Sequence, residues 1–279
     1  MLTEEQKEAR RHGIGGTDVA ALLGLNPYMT PYELWMIKTG RLEEKPPLTE
    51  SKLRIRHAHE ITIANEYAQI HNCKLKRINK TLYHKKYPFM LCHLDRVVIG
   101  KRKIVECKSS SAYMQFQWGE SGTNDAPLHY ICQVYHQYAI TGYDEADIAA
   151  LINIDDTRYY PIPRDESLIK EIEERTEYFW RYHVQEDNPP DPSNRNDFNL
   201  MYPKNNGTLI DASDEALTLC KQLKEVKETI KKYEEEKVSI ENSIISIIGE
   251  NDGLKQGDQE LISWRPDKNG KRSLRQKRA

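Results

Sequence analysis

Residues 89–108 read FMLCHLDRVVIGKRKIVECK. Two short runs rich in branched and aromatic residues, Phe89 to Ile99 and Lys103 to Lys108, flank the turn-like Gly100-Lys101-Arg102, which is the pattern of a β-hairpin. Side chains alternate along a strand, so Ile104, Glu106 and Lys108 share one face and the Cys107 side chain takes the other. A tip at Lys101 and Arg102 pairs Gly100 with Lys103. That register sets Asp95 opposite Lys108 and diagonal to Glu106, at about 5 Å and roughly 7 to 8 Å. Two carboxylates and one ammonium therefore converge on one face.

Working outward, Leu75 to Tyr83 reads as a further strand, preceded by a long helix from Leu48 to His71. Shorter helices are expected over residues 3 to 12, Asp18 to Leu23 and Pro31 to Thr39. Downstream come a helix from Leu128 to Thr141, strands at Ile148 to Ile154 and Tyr159 to Ile162, and a helix from Glu166 to Gln185. Helices alternating with strands around a small mixed sheet make an α/β core over residues 1–187. Residues 188–210, rich in proline and asparagine, read as a linker. Over 211–249 apolar residues recur at Ala216, Leu219, Leu223, Val226, Ile230, Tyr233, Ile240, Ile244 and Ile247, a spacing of three and four broken by Lys237. That is a long amphipathic, coiled-coil-like helix with Gly249 as its stop, equally suited to its own domain or to a partner. Residues 250–279 read as a short strand-like segment and a disordered basic tail.

The 279 residues suffice for a large buried core. With a mean hydropathy of −0.77, no apolar run approaches the roughly 20 residues of a membrane span, and the opening MLTEEQKEARRHG has no signal-peptide stretch. The five cysteines form no Cys-x-x-Cys pair, so neither a disulfide framework nor a zinc site is expected, and a reducing cytosol fits. A net charge of −2 hides an uneven distribution: residues 52–108 carry fourteen Lys or Arg against four acids, a balance of +10, leaving −12 for the rest. A basic segment in an acidic chain suits an anion-binding groove and leans toward nucleic acid, the alternative being a solvated basic face.

Magnesium takes hard oxygen ligands, usually one or two carboxylates completed by phosphate and water. Asp95, Glu106 and the Cys107 backbone carbonyl offer such a partial shell, Glu60 on the upstream helix adds a carboxylate for a second ion, and Lys108 is placed to orient water or offset charge. The expected reaction is phosphodiester hydrolysis. About six acid-x-base triplets arise by chance in a chain this charged. Glu106-Cys107-Lys108 gains weight from Asp95 one hairpin earlier, from its apolar strands and from the basic segment around it. Gly13-Ile14-Gly15-Gly16-Thr17 lets a phosphate approach the backbone at a helix start, although ordinary capping explains it as well. It is no dinucleotide fingerprint, because a polar helix rather than a strand precedes it. His59-Glu60 is no zinc-protease motif, since position 63 is Ile.

The run from Arg10 through Gly24, RRHGIGGTDVAALLG, followed by Asn26-Pro27-Tyr28 and Lys38-Thr39-Gly40, resembles the opening of the YqaJ family of phage recombination nucleases, relatives of lambda exonuclease. With Glu60, Asp95, Glu106-x-Lys108 and Gln133 in order, the resemblance covers most of residues 5 to 185. It implies a restriction-endonuclease-like PD-(D/E)xK core, a mixed central sheet flanked by helices, with the C-terminal helical arm as a variable extension. It implies Glu60, Asp95 and Glu106 as metal ligands, Lys108 as the water-orienting group, Gln133 as a helper, and Arg10 and Thr17 as holders of a terminal 5′-phosphate. Arg11 ranks behind Arg10. Thr17 replaces the more usual Ser, and Arg56 stands where relatives often have a small residue.

The implied activity is digestion of one strand of double-stranded DNA from its 5′ end with two Mg2+ ions, for which Mn2+ may substitute. The 3′ tail produced would serve a single-strand annealing protein. A ring-shaped homotrimer and the cytoplasm of a bacterial host, in a phage or prophage setting, are implied as well. Two rivals are an endonuclease on the same core and an inactive DNA-binding adaptor that recruits partners through its C-terminal helix.

Overall fold

The computed structural model describes residues 4–44, 49–153 and 155–276, which divide into two compact units, Met1–Lys204 and Asn205–Ala279. Three helices open the first unit: α1 (Glu4–Arg11), α2 (Gly16–Leu22) and α3 (Pro31–Lys38). α3 begins at a capping box, where Thr30 Oγ1 accepts from the Glu33 N–H and Glu33 accepts from the Thr30 N–H, with Pro31 at the first helical position. The long helix α4 spans Glu50–Ile70. Its expected start, Leu48, lies outside the described residues.

The runs Leu75 to Tyr83 and Phe89 to Ile99, each expected as one strand, are each divided. They give β1 (Leu75–Lys76), β2 (Leu82–Tyr83), β3 (Leu91–Cys92) and β4 (Arg96–Val98). β2 and β3 pair with each other, while β1 and β4 join the main sheet. Each run thus crosses between two sheets and loses its pairing midway. β5 (Lys103–Ser110), α5 (Leu128–Thr141), β6 (Glu145–Ile152) and β7 (Asp156–Ile162) follow. Ile154, the expected end of β6, is outside the described residues. The main sheet has the order β1-β4-β5-β6-β7, with β5 and β6 parallel and the other pairs antiparallel. It is a mixed α/β fold, as the alternation of elements requires.

The register of the β4–β5 hairpin departs from expectation by two residues. Arg96 pairs with Val105 and Val97 with Ile104, so extending the ladder brings Asp95 level with Glu106 rather than Lys108. The cause is the turn: Gly100 takes a left-handed φ of +83° and the Lys101 N–H closes on the Val98 carbonyl at 3.3 Å. A slip of two preserves the side-chain parity, so Asp95 keeps the face of Glu106. That face packs on α5 and α2 through a core including Ile104, Ile148, Val134, Tyr138 and Val19. The opposite face, with Val105 and Cys107, is covered by Ile63, Ala64 and Tyr67 of α4.

α6 (Glu166–Tyr178) winds on as a wider π-helical segment over Phe179–Gln185. Residues 188–204, expected as linker, belong to the first unit and contain α7 (Arg195–Met201). Asp197 is fully buried there and accepts from Thr30 Oγ1 at 2.8 Å and from Ser193 N–H and Oγ, a long-range anchor that local composition cannot reveal.

The second unit holds α8 (Asp214–Ile248), capped by Ser213 and ended by Gly249 at φ +58°. β8 (Gly253–Gln256), β9 (Gln259–Pro266) and β10 (Arg272–Gln276) form an antiparallel sheet in the order β10-β9-β8. Residues 265–276, expected as a disordered tail, are therefore largely ordered strand. Arg272 lies over the Trp264 ring at 5.3 Å and donates to the Trp264 carbonyl at 3.0 Å, so this base pins the hairpin. Residues 277–279 lie outside the described residues. No helix among the described residues is long and apolar enough to cross a membrane.

Candidate active site

β5 carries Glu106 onto its α5 face, where only 2% of the residue is exposed. A carboxylate so buried needs donors, and α5 supplies them. Gln133 Nε2 donates to Glu106 Oε1 at 2.5 Å and Gln137 Nε2 to Oε2 at 2.8 Å. Gln133 and Gln137 are four apart, hence on one helical face. Lys108 Nζ completes the group, 2.6 Å from Glu106 Oε1 and 2.9 Å from Gln133 Oε1, and lies 4.8 Å from the centroid of the Tyr130 ring.

Asp95, at the edge of β4, accepts from the Cys107 backbone N–H through Oδ2 at 2.9 Å. Burial, and then the neighbouring Glu106 charge, push its carboxyl up to about 7 against the pull of Lys108. Burial alone would lower the Lys108 ammonium, but Glu106 and Asp95 outweigh it and hold it above the ordinary lysine value. Two carboxylates thus share one ammonium, and the site carries an excess of negative charge. The Cys107 thiol belongs to the α4-side core, where burial raises it well above the usual thiol range.

Asp95, Glu106, Cys107, Lys108 and Gln133 all line a cleft of about 480 Å³, together with Glu60, His57, Arg10, Gly16 and Thr17. Glu60, Asp95, Glu106, Cys107, Lys108, Gln133, Arg10 and Thr17 therefore meet in one place, whereas Arg11 pairs with Glu8 outside it, and Glu60 is held differently from the rest. Its Oε1 is paired with Arg96 Nη1 at 2.5 Å and its Oε2 stands 3.5 Å from His57 Nδ1. Arg96 also donates to the Asp95 carbonyl at 2.6 Å. Among the described residues no three His, Cys, Asp or Glu side chains are gathered closely enough to hold an ion. The donor set fits a hard divalent cation through two carboxylates that share one ammonium, Asp95 and Glu106, which matches the one or two that Mg2+ usually takes from protein. A second ion would need Glu60, which Arg96 holds.

Also lining the cleft, Arg10 Nη2 donates to Thr17 Oγ1 at 2.9 Å. Lys38 organises this corner. Its Nζ is buried, 2.8 Å from Asp18 Oδ2, and donates to the Arg10 carbonyl at 2.7 Å, while Asp18 Oδ2 accepts from the Gly15 N–H at 3.0 Å. Burial would raise the Asp18 carboxyl, but Lys38 and Arg10 overcome it and hold it below the ordinary value. Gly16 is required by packing, since a Cβ there would stand 2.7 Å from Gln133 Cγ. The glycine lets α2 approach the helix that holds Glu106.

Sequence reading missed Gln137, Tyr130, Arg96 and the Asp18–Lys38 pair. Gln137 was within reach, because Tyr130, Gln133 and Gln137 follow helical spacing on α5. Arg96 and Lys38 carry no local signal, since their partners are 36 and 20 positions away.

Residues 5–144 match the family model of the YqaJ-like viral recombinase domain. The YqaJ protein of Bacillus subtilis (strain 168) is 34% identical over 189 residues, covering 66% of this chain and 57% of the relative, so the match spans little more than half of that protein. Among solved structures, an alkaline exonuclease from Laribacter hongkongensis is similar over 66% of this chain and 94% of its own, at 19% identity and a TM-score of 0.49. A phage related exonuclease from Haemophilus somnus 129PT is similar over 63% and 95%, at 14% identity and a TM-score of 0.48.

Proposed function

The chain belongs to the YqaJ-like viral recombinase domain family, and on that premise we propose that it is a metal-dependent deoxyribonuclease that digests one strand of duplex DNA from its 5′ end. The observation that carries this reading is the cleft in which Asp95 and Glu106 share the single ammonium of Lys108. Excess negative charge on two carboxylates is what a divalent cation relieves.

Asp95, Glu106 and the Cys107 carbonyl are the proposed holders of Mg2+, with Mn2+ as a substitute and Glu60 joining a second ion on release from Arg96. When bound, the ion supplies Lewis-acid polarisation of a phosphoryl oxygen and hydroxide near neutral pH. Lys108, oriented by Glu106 and Gln133, positions the attacking water and offsets charge as the phosphorus becomes five-coordinate. Gln133 and Gln137 hold Glu106 in place by donating to both of its oxygens. Arg10 and Thr17 are the proposed grip on a terminal 5′-phosphate, a charge-assisted contact that would select ends over internal sites.

The product in this reading is a 3′ single-stranded tail for a separate annealing protein, and the proposed assembly is a homotrimer. A blunt, 5′-phosphorylated duplex incubated with Mg2+ should release mononucleotides, while a covalently closed circle stays intact. Cutting of the circle would make the protein an endonuclease, and no hydrolysis with either Mg2+ or Mn2+ would leave a DNA-binding adaptor. Molecular mass in solution tests the trimer.

A further inference from the structure

Tyr113 and Phe116 are the most exposed aromatic side chains among the described residues, at 90% and 80%. They lie on a 3-10 turn, Ala112–Gln117, whose three residues per turn bring positions i and i+3 into line, so both rings fall on one side. The segment leaves the cleft at one end and packs behind a cleft-lining residue at the other. Ser109, near the end of β5, lines the cleft, and Tyr113 is four residues further on, a reach of at most about 14 Å. At the other end Trp118 is buried, with its ring 5.6 Å from that of Tyr130, the residue that lines the cleft beneath Lys108. Residues 109–118, SSSAYMQFQW, contain no charge.

The chemistry of such a surface is specific. Without a cation it does not address phosphates, and with two exposed rings on a turn that follows the cleft-lining Ser109 it offers flat π-faces to flat partners. Every nucleobase has such a face, but one free to stack on protein only when the strand is unpaired. A duplex whose one strand is consumed at the cleft must expose such bases beside it. We infer that Tyr113 and Phe116 form a stacking platform for the unpaired bases of single-stranded DNA at the cleft rim, an assignment that rests on the nuclease reading above. The buried Trp118 anchors the C-terminal end of the turn that carries the rings.

The test is fluorescence anisotropy of a labelled oligo(dT) titrated with the full chain in EDTA at fixed salt, so that nothing is cut. Replacing both residues, Tyr113→Leu with Phe116→Leu, keeps the surface apolar but removes the rings, and should weaken binding roughly tenfold or more. The pair Tyr113→Phe with Phe116→Tyr keeps both rings and should bind as the parent does. Equal affinity of the leucine pair and the parent overturns the platform, as does a parent chain that does not bind the oligonucleotide. Hydrolysis of the blunt duplex by the parent in Mg2+ is read separately. Ring-dependent binding without hydrolysis supports the platform while removing the nuclease reading, whereas hydrolysis with ring-independent binding removes only the platform.

Discussion

Glu106 and Glu60 line the same cleft, one from the sheet and one from α4, and are held in opposite ways. Glu106 is sunk in the core with two glutamine amides and an ammonium on its oxygens. Glu60 is half-buried and answers to one arginine and, at longer range, one histidine. The first carboxylate is preorganised, because moving it would strand buried donors. The second has fewer donors and is more exposed, so it exchanges partners at lower cost than the first. A cleft built this way has one rigid wall and one adjustable wall.

The largest effect should come from the rigid wall. Asp95→Ala is expected to lower hydrolysis of the phosphorylated duplex about a thousandfold, with an unchanged circular dichroism spectrum; activity within tenfold of the parent would remove Asp95 from the site. Next is a pH effect on the helix that builds this wall. His136 of α5 is fully buried, with Nε2 at 3.0 Å from the Leu91 carbonyl, and burial pushes its imidazole down to about 4. The unfolded chain therefore binds a proton that the native chain refuses. This contribution to stability is intact above about pH 6.5 and is lost as the pH falls toward 4, roughly 3 kcal/mol over the full window. Urea midpoints from pH 7 to 4 for the parent and His136→Gln should diverge accordingly, and parallel curves would refute the assignment.

Gln137→Leu should cost about 2 kcal/mol in urea unfolding, since it leaves Glu106 Oε2 buried without its amide donor. A neutral result would mean that water or another group replaces the amide and that the wall is less rigid than its bonds suggest. At the Arg10–Thr17 corner, Arg10→Ala should reduce the preference for 5′-phosphate over 5′-hydroxyl ends about tenfold, measured as a ratio of initial rates. The smallest effect belongs to the adjustable wall. Arg96→Ala frees Glu60, and the Mg2+ concentration for half-maximal activity should fall about two- to fivefold. A rise instead would show that Arg96 supports the ion site and would dissolve the contrast between the walls.

The second unit extends the lesson. The three-and-four spacing from Ala216 to Ile247 reads directly as a helix, and α8 forms with local caps at Ser213 and Gly249. The stripe leaves Leu223, Val226 and Ile230 more than half exposed. Periodicity defines a face, and only packing says what covers it. Likewise 188–204 looked like linker because proline and asparagine are local signals, while the buried Asp197 that fastens it answers to Thr30, 167 positions away.

By itself the sequence determined that Ile104, Glu106 and Lys108 share a face, that Gln133 and Gln137 share another, and that a long amphipathic helix ends at Gly249. These follow from repeat distances of the backbone, which hold whatever the partner. Tertiary structure alone decided that Asp95 stands level with Glu106, that two glutamines seat that carboxylate, that Arg96 takes Glu60, and that Lys38 ties the α1–α2 corner. Those outcomes depend on one turn conformation and on which buried charges find each other, and both are settled by the free energy of the whole packed chain rather than by any stretch of it.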